Sequence, residues 1–258
     1  MTDDDAVTAD ALLRGRVRLY QPARGARMSL DPVLLAGFVA PPFGRFLDIG
    51  GGTGPLSFLL LAGDPAATGV SIEIQPRLAT LALRGRAENG WDARLEIVEG
   101  DVRALGQRLG EGTFDLVVTN PPYRTLDASR PSPNRERALA HHEISLRLPE
   151  WVAIAGQVVR PGGRVAAILP MERSNELIQT LAANDLRPAR TRKVHPRVNQ
   201  PASRLLVEAR RGVEAPLLVE PPLIVHEPGG GFTPEVRRML GETGEVGEAL
   251  DVTAPLKG

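Results

Sequence analysis

The chain has 258 residues, 42% of them hydrophobic and 24% charged, which suits a folded protein with a sizeable core. Its 31 basic and 31 acidic side chains cancel, which argues against wholesale coating of a polyanion. Cysteine is absent, so disulfides and thiolate metal sites are excluded, and a reducing, cytoplasmic location is expected.

The opening MTDDDAVTAD is acidic and has no apolar core, unlike a signal peptide. No apolar run is long enough to span a bilayer, so no membrane association is expected. Residues 1–12 read as disordered. Residues 13–43 read as an N-terminal strand and helix. RGRVRLYQP alternates at Val17 and Leu19 like an exposed strand. MSLDPVLLAGFV suits a helix with Asp31 as N-cap, Pro32 at the first position and Val33, Leu34, Leu35 and Phe38 on its apolar face.

From Gly44 strands and helices alternate. RFLDIG, ATGVSIEI, RLEIVEGD and TFDLVVTN are strands, and PLSFLLLAG, PRLATLALRGRAENG and VRALGQRLG are the helices between them. The near-continuous apolar runs suit parallel strands covered on both faces. LRLPEWVAIAGQVV, a turn at Arg160–Gly163, the strand GRVAAILP and the helix MERSNELIQTLAAN follow, then strands in LRPARTRKVHP and SRLLVEARR. The pattern predicts a single Rossmann-like, doubly wound α/β domain over residues 44–240, mostly parallel, with an antiparallel finish. Thr233-Pro234 caps a short helix, and residues 241–258 read as a flexible tail.

Chemistry concentrates at the strand ends. DIGGGTG puts Gly50, Gly52 and Gly54 between a strand and a helix, where the backbone can turn tightly and approach a ligand. The third glycine follows the second by two residues, unlike the usual dinucleotide loop, and the Lys-Ser/Thr of a P-loop is missing. Glu73 ends the second of these strands, where an acid can accept both hydroxyls of a ribose. Asp101 follows the third, where it can accept an adenine amino proton. Each acid alone is ordinary, but three successive strand ends together point to an adenosine site. In VVTNPPY, Asn120, Pro121, Pro122 and Tyr123 close the fourth strand. Proline ends a ladder, so the pair is either a stiff exit or a rigid mount for the Asn120 amide, a proline carbonyl and the Tyr123 ring around a planar substrate.

DIGGGTG, SIEI, EGD and VVTNPPY, in this order and spacing, resemble motifs I to IV of the class I S-adenosylmethionine-dependent methyltransferases. The resemblance spans roughly residues 44–210 and implies a seven-stranded sheet with a reversed last strand. It implies that Gly50, Gly52 and Gly54 line the methionine moiety, Glu73 holds the ribose and Asp101 the adenine. Asp48, Ile74, Val102 and Asn120 complete the implied cofactor set, with S-adenosylhomocysteine as product and no metal. The NPPY motif is shared by enzymes that methylate planar nitrogens: adenine N6, guanine N2 in rRNA, or protein glutamine N5. The Asn120 oxygen and Pro121 carbonyl would accept the hydrogens of the amino group and Tyr123 would stack on its ring.

ARMSLDPVLLAGF and SRPSPNRERALAHHEI resemble the flanks of bacterial tRNA adenine-N6 methyltransferases acting on valine tRNA. By that likeness the Asp31 helix covers the cofactor pocket, the loop from Arg124 to Glu143 shapes the entrance, and the partner is tRNA or another structured RNA. Arg130, Arg135 and Arg137 would grip phosphates there. A basic stripe at 187–204 with no intervening acid, including Arg190, Arg192, Lys193 and Arg197, would add contacts, and a solvated face is the equal alternative from charge alone. His141-His142-Glu143 suggests a metal only weakly, because adjacent histidines point apart and no third ligand is evident, so this run reads as structural, as do His195 and His226. A scaffold that binds cofactor without catalysis is the reading from a different class, and the intact NPPY argues against it.

Overall fold

A computed structural model describes residues 6–24, 27–121, 146–214 and 216–242. The strands are β1 (Val7–Leu12), β2 (Val17–Pro22), β3 (Arg45–Ile49), β4 (Thr68–Glu73), β5 (Leu95–Glu99), β6 (Phe114–Thr119), β7 (Val159–Pro170), β8 (Leu186–His195), β9 (Arg204–Arg211), β10 (Leu218–Val219) and β11 (Leu223–Ile224). The helices are α1 (Asp31–Phe38), α2 (Pro55–Gly63), α3 (Pro76–Glu88), α4 (Val102–Leu109), α5 (Leu148–Val158), α6 (Ser174–Ala183) and α7 (Pro234–Met239).

The seven long strands lie in the order β5-β4-β3-β6-β7-β9-β8, parallel except for β9, which runs against both neighbours. This is the mostly parallel sheet with a reversed last strand expected above. Successive residues of the central strands feed opposite layers. Phe46, Leu116, Val118, Ala166 and Ile168 pack under α1, α2 and β2, whereas Leu47, Val117, Val165 and Ala167 pack under α5 and α6. Both faces are covered, so the strand interiors are apolar on both sides. No helix among the described residues is long and apolar enough to cross a membrane.

Several local expectations are corrected. Residues 7–12 form β1 rather than disordered chain, pairing antiparallel with β2 from Val7↔Pro22 to Leu12↔Val17. β2 is not an exposed strand, because Val17, Leu19 and Tyr20 are buried against the body. Asn89, just beyond α3, grips it by accepting the Arg18 N–H at 2.8 Å and donating to the Arg18 carbonyl at 2.7 Å. Asp31 does not act as a side-chain N-cap; its carboxylate pairs with Arg204 at 3.1 Å instead. Arg160–Gly163 is a bulge inside β7, where the register with β6 jumps from Phe114↔Val159 to Leu116↔Arg164.

β10 and β11, unanticipated, add short parallel segments to the outer edge of β8. The tail then forms α7, whose N-cap Thr233 accepts the Val236 N–H, as expected. α7 packs on α1 so closely that a Cβ at Gly37 would lie 2.7 Å from the Met239 side chain. Gly241 and Glu242 are described, while residues 243–258 lie outside the described residues.

Candidate active site

The order of strands reverses between β3 and β6, and open α/β sheets bind ligands at the carboxyl ends beside such a switch. A cavity of about 310 Å³ lies there, walled by the loop after β3, the ends of β4 and β6, and the start of α4. Residues 27–29 and Pro32 close it from the α1 side.

The glycine loop makes the floor. Gly50 and Gly52 have φ of +74° and +58°, and a Cβ on either would meet no atom within 4 Å, leaving space that a ligand can occupy. The Gly50 and Gly51 N–H groups donate to the Ile72 carbonyl at 2.9 and 3.0 Å, which pins the loop to β4. Gly51 has the opposite constraint: an added Cβ would sit 2.0 Å from Ser71 Oγ. Gly54 does not line the cavity, contrary to expectation. Its φ is +92° and its missing side chain makes room for the Phe58 ring, which a Cβ would approach to 2.7 Å.

Three carboxylates face this cavity. Glu73 is 5% exposed and accepts the N–H of Gly52 at 2.8 Å and of Gln75 at 2.9 Å, so it braces the glycine loop and keeps acceptor capacity toward the cavity. Asp48 is deeply buried. Burial pushes its carboxyl up to about 7, opposed by hydrogen bonds from Ser57 and helped by the charge of Glu73. The Ser57 hydroxyl donates to it at 2.7 Å. Asp101 caps α4 by accepting the Arg103 N–H at 2.9 Å and is forked by the Arg103 guanidinium. Those Arg103 hydrogen bonds, outweighing partial burial, hold its carboxyl below the ordinary value.

Ile74, Val102, Asn120 and Pro121 also line the cavity. The Thr119 hydroxyl donates to the Ile49 carbonyl at 2.9 Å, locking the end of β6 to that of β3 immediately before Asn120. Pro122, Tyr123, Arg130, Arg135, Arg137, His141, His142 and Glu143 lie outside the described residues. Among the described residues no His, Cys, Asp or Glu cluster is arranged to hold a metal. Sequence reasoning missed Gly51, Ser57, Ser71, Arg103 and the 27–29 segment. Of these only Arg103, two residues beyond Asp101, carried a readable spacing signal.

The basic stripe requires correction. Arg192 is 7% exposed, chelated by Glu235 at 2.6 and 3.0 Å, and donates to the Pro221 carbonyl. Arg190 is paired with Glu208 and Glu220 and lies over the Phe38 ring. Both therefore fasten the C-terminal segment and α1 to the sheet and are not available to phosphates. Lys193 is exposed, and the partly exposed Arg197 donates to the carbonyls of Glu227 and Pro228. His195 Nδ1 meets the Gln200 carbonyl at 2.8 Å and His226 stacks on Phe232, in line with structural roles.

Residues 30–136 match the methyltransferase small domain family model. The chain is 32% identical over 235 residues to a tRNA1(Val) (adenine(37)-N6)-methyltransferase of Porphyromonas gingivalis, covering 87% of this chain and 91% of that protein. A protein of the same name from Bacteroides fragilis is 29% identical, covering 70% and 76% of the two chains. A solved structure described as a predicted O-methyltransferase of Agrobacterium tumefaciens superposes with a TM-score of 0.67 at 27% identity, covering 83% of this chain and 98% of that one.

Proposed function

The chain belongs to the tRNA1(Val) (adenine(37)-N6)-methyltransferase family, and from that premise we propose that it methylates the exocyclic amine of an adenine beside the anticodon of a valine tRNA. The observation that carries this reading is the convergence of the glycine loop, Glu73, Asp101 and Asn120-Pro121 on one cavity at the switch point of the sheet. The relatives from Porphyromonas and Bacteroides agree on adenine N6 as the acceptor, which favours nitrogen over the oxygen acceptor in the name of the Agrobacterium structure.

The donor set suits S-adenosylmethionine. Asp48, Glu73 and Asp101 offer acceptors for its amine, ribose hydroxyls and adenine amino group, and the empty Cβ positions of Gly50 and Gly52 leave room for close backbone approach. When bound, it supplies a methyl group already activated for transfer. Glu73 holds the ribose hydroxyls, Asp101 and the Ile74 and Val102 side chains hold the adenine, and Asp48 favours the amine end.

What remains for the protein is to present a weak nucleophile. The lone pair of an adenine amine is delocalised into the ring. The Asn120 side-chain oxygen and the Pro121 carbonyl accept its hydrogens and turn the lone pair out of the ring plane. Tyr123 stacks on the base, and Pro122 stiffens the corner. Positioning of this kind supplies much of the rate without a metal or a covalent nucleophile. Lys193, Arg197 and the arginines at 130, 135 and 137 contact RNA phosphates, and we place the enzyme in the cytoplasm with its substrate.

The test is to incubate the protein with methyl-labelled S-adenosylmethionine and unmodified tRNA and digest the RNA to nucleosides. Label is expected in N6-methyladenosine. Label confined to protein, or found in a guanosine, rejects the assignment.

A further inference from the structure

No residue of the β1–β2 hairpin touches the cavity, yet the hairpin fixes the segment that closes it. Asp10, in β1, is where the connections meet. Its Oδ2 accepts the Thr8 hydroxyl at 2.8 Å, Gln21 Nε2 at 3.0 Å and Arg27 Nη2 at 3.2 Å, while Oδ1 accepts a second contact from Arg27 Nη2 at 3.3 Å. Arg27 Nη1 also donates to Thr8 Oγ1 at 2.8 Å and to the Pro22 carbonyl at 3.1 Å. Gln21 is 5% exposed, and its Oε1 accepts the Met28 N–H at 2.6 Å. The hairpin is itself held to the body by Asn89 and by the Arg84 guanidinium, 3.8 Å from the centre of the Tyr20 ring.

We infer that Asp10 is a positioning residue for cofactor binding: through Arg27 and Gln21 it holds residues 27–29 as a ready-made strap across the cavity. The inference rests on the cavity being the S-adenosylmethionine site. A segment held in its bound shape needs no ordering when the ligand arrives, whereas a freed one forfeits affinity for every residue it must then fix. Residues 27–29 belong to no helix or strand, so side-chain bonds from the hairpin replace the backbone ladder that would otherwise fix them. Burial works against the Asp10 carboxylate, but the Thr8 and Gln21 hydrogen bonds and the charge of Arg27 outweigh it and hold its pKa below the ordinary value. The carboxylate is therefore charged throughout the neutral range.

The test is a double-mutant cycle on full-length protein. Asp10→Asn, Arg27→Gln and the pair are compared by calorimetric Kd for S-adenosylhomocysteine, and by KM for S-adenosylmethionine and kcat at saturating cofactor on tRNA. Asp10→Asn is expected to raise Kd and KM about ten-fold and leave kcat within about two-fold, a split that general loosening of the fold would not produce. The double variant is expected to lose less affinity than the two single losses multiplied, because Arg27 carries one of the two arms through which Asp10 acts and Gln21 carries the other. Wild-type affinity in a folded Asp10→Asn protein, or effects that multiply, overturns the inference. Should Asp10→Asn fail to fold, Gln21→Ala, which frees the Met28 N–H, is expected to raise Kd about three- to five-fold or more, the effect of one lost hydrogen bond, and unchanged affinity there overturns it equally. Wild-type protein that fails to bind S-adenosylhomocysteine rejects the site reading itself. Wild type that binds, beside variants that bind as well, rejects the strap alone.

Discussion

Replacing Asp48 by Asn isolates the cost of burying one carboxylate. Asp48 is 1% exposed, and its carboxyl titrates at about 7 against an ordinary 3.8. The native state thus holds this proton more tightly than the unfolded chain does. The penalty for ionising Asp48 is absent below the unfolded value, grows as pH rises between the two values, and is complete above about 7. A gap of about three pH units at ~1.4 kcal/mol each gives a full penalty near 4 kcal/mol, of which about 3 kcal/mol develops between pH 5 and pH 8. An amide at this position cannot ionise and still offers an oxygen to the Ser57 hydroxyl. Without cofactor, the Tm advantage of Asp48→Asn over wild type is expected to widen by roughly 6–12 °C from pH 5 to pH 8. Thermal unfolding by circular dichroism across that range measures it. Parallel curves for the two proteins would refute the buried-charge reasoning.

Asn120→Ala is expected to reduce turnover on tRNA by at least about 100-fold while leaving the Kd for S-adenosylhomocysteine within a few-fold, measured by single-turnover kinetics and calorimetry. Gly51→Ala drives a methyl into Ser71 and is expected to lower stability by about 1–3 kcal/mol in urea unfolding, with partial recovery on adding Ser71→Gly; an unshifted midpoint would show that the loop yields freely. Arg192→Met removes the buried partner of the partly exposed Glu235 and is expected to cost about 1–3 kcal/mol of stability with no change in the salt slope of tRNA binding, whereas Lys193→Ala is expected to leave stability alone and lower that slope by about one. The reverse pattern would return Arg192 to the RNA surface.

Much of this organisation could be read from residue order. The apolar runs at Arg45–Ile49 and Phe114–Thr119 announced strands covered on both sides, and the glycine loop and two acids fell at neighbouring strand ends because parallel topology delivers them there. Other features depend on partners remote in the chain. The stripe at 187–204 looked like a free cationic surface because Glu208, Glu220 and Glu235, which neutralise Arg190 and Arg192, arrive only later. Val7–Leu12 escaped notice because its alternation is inverted, with Thr8 and Asp10 on the half-buried side and Val7, Ala9 and Ala11 exposed, and its pairing comes from β2. Gly51 and Gly54 were indistinguishable from Gly50 and Gly52 as letters. Only the positions of Ser71 and Phe58 reveal that two of these glycines accommodate neighbours and two leave open space.

The fit of Met239 against Gly37 also orders events during synthesis. α1 emerges early from the ribosome and can pack on α2 soon afterwards, but the side chain that fills the space over Gly37 is encoded about two hundred residues downstream, so that face of the helix stays uncovered until Met239 has been added. A polypeptide stopped before Met239 would already hold every motif of the catalytic cleft and still leave one face of α1, the helix whose Pro32 borders that cleft, without its packing partner.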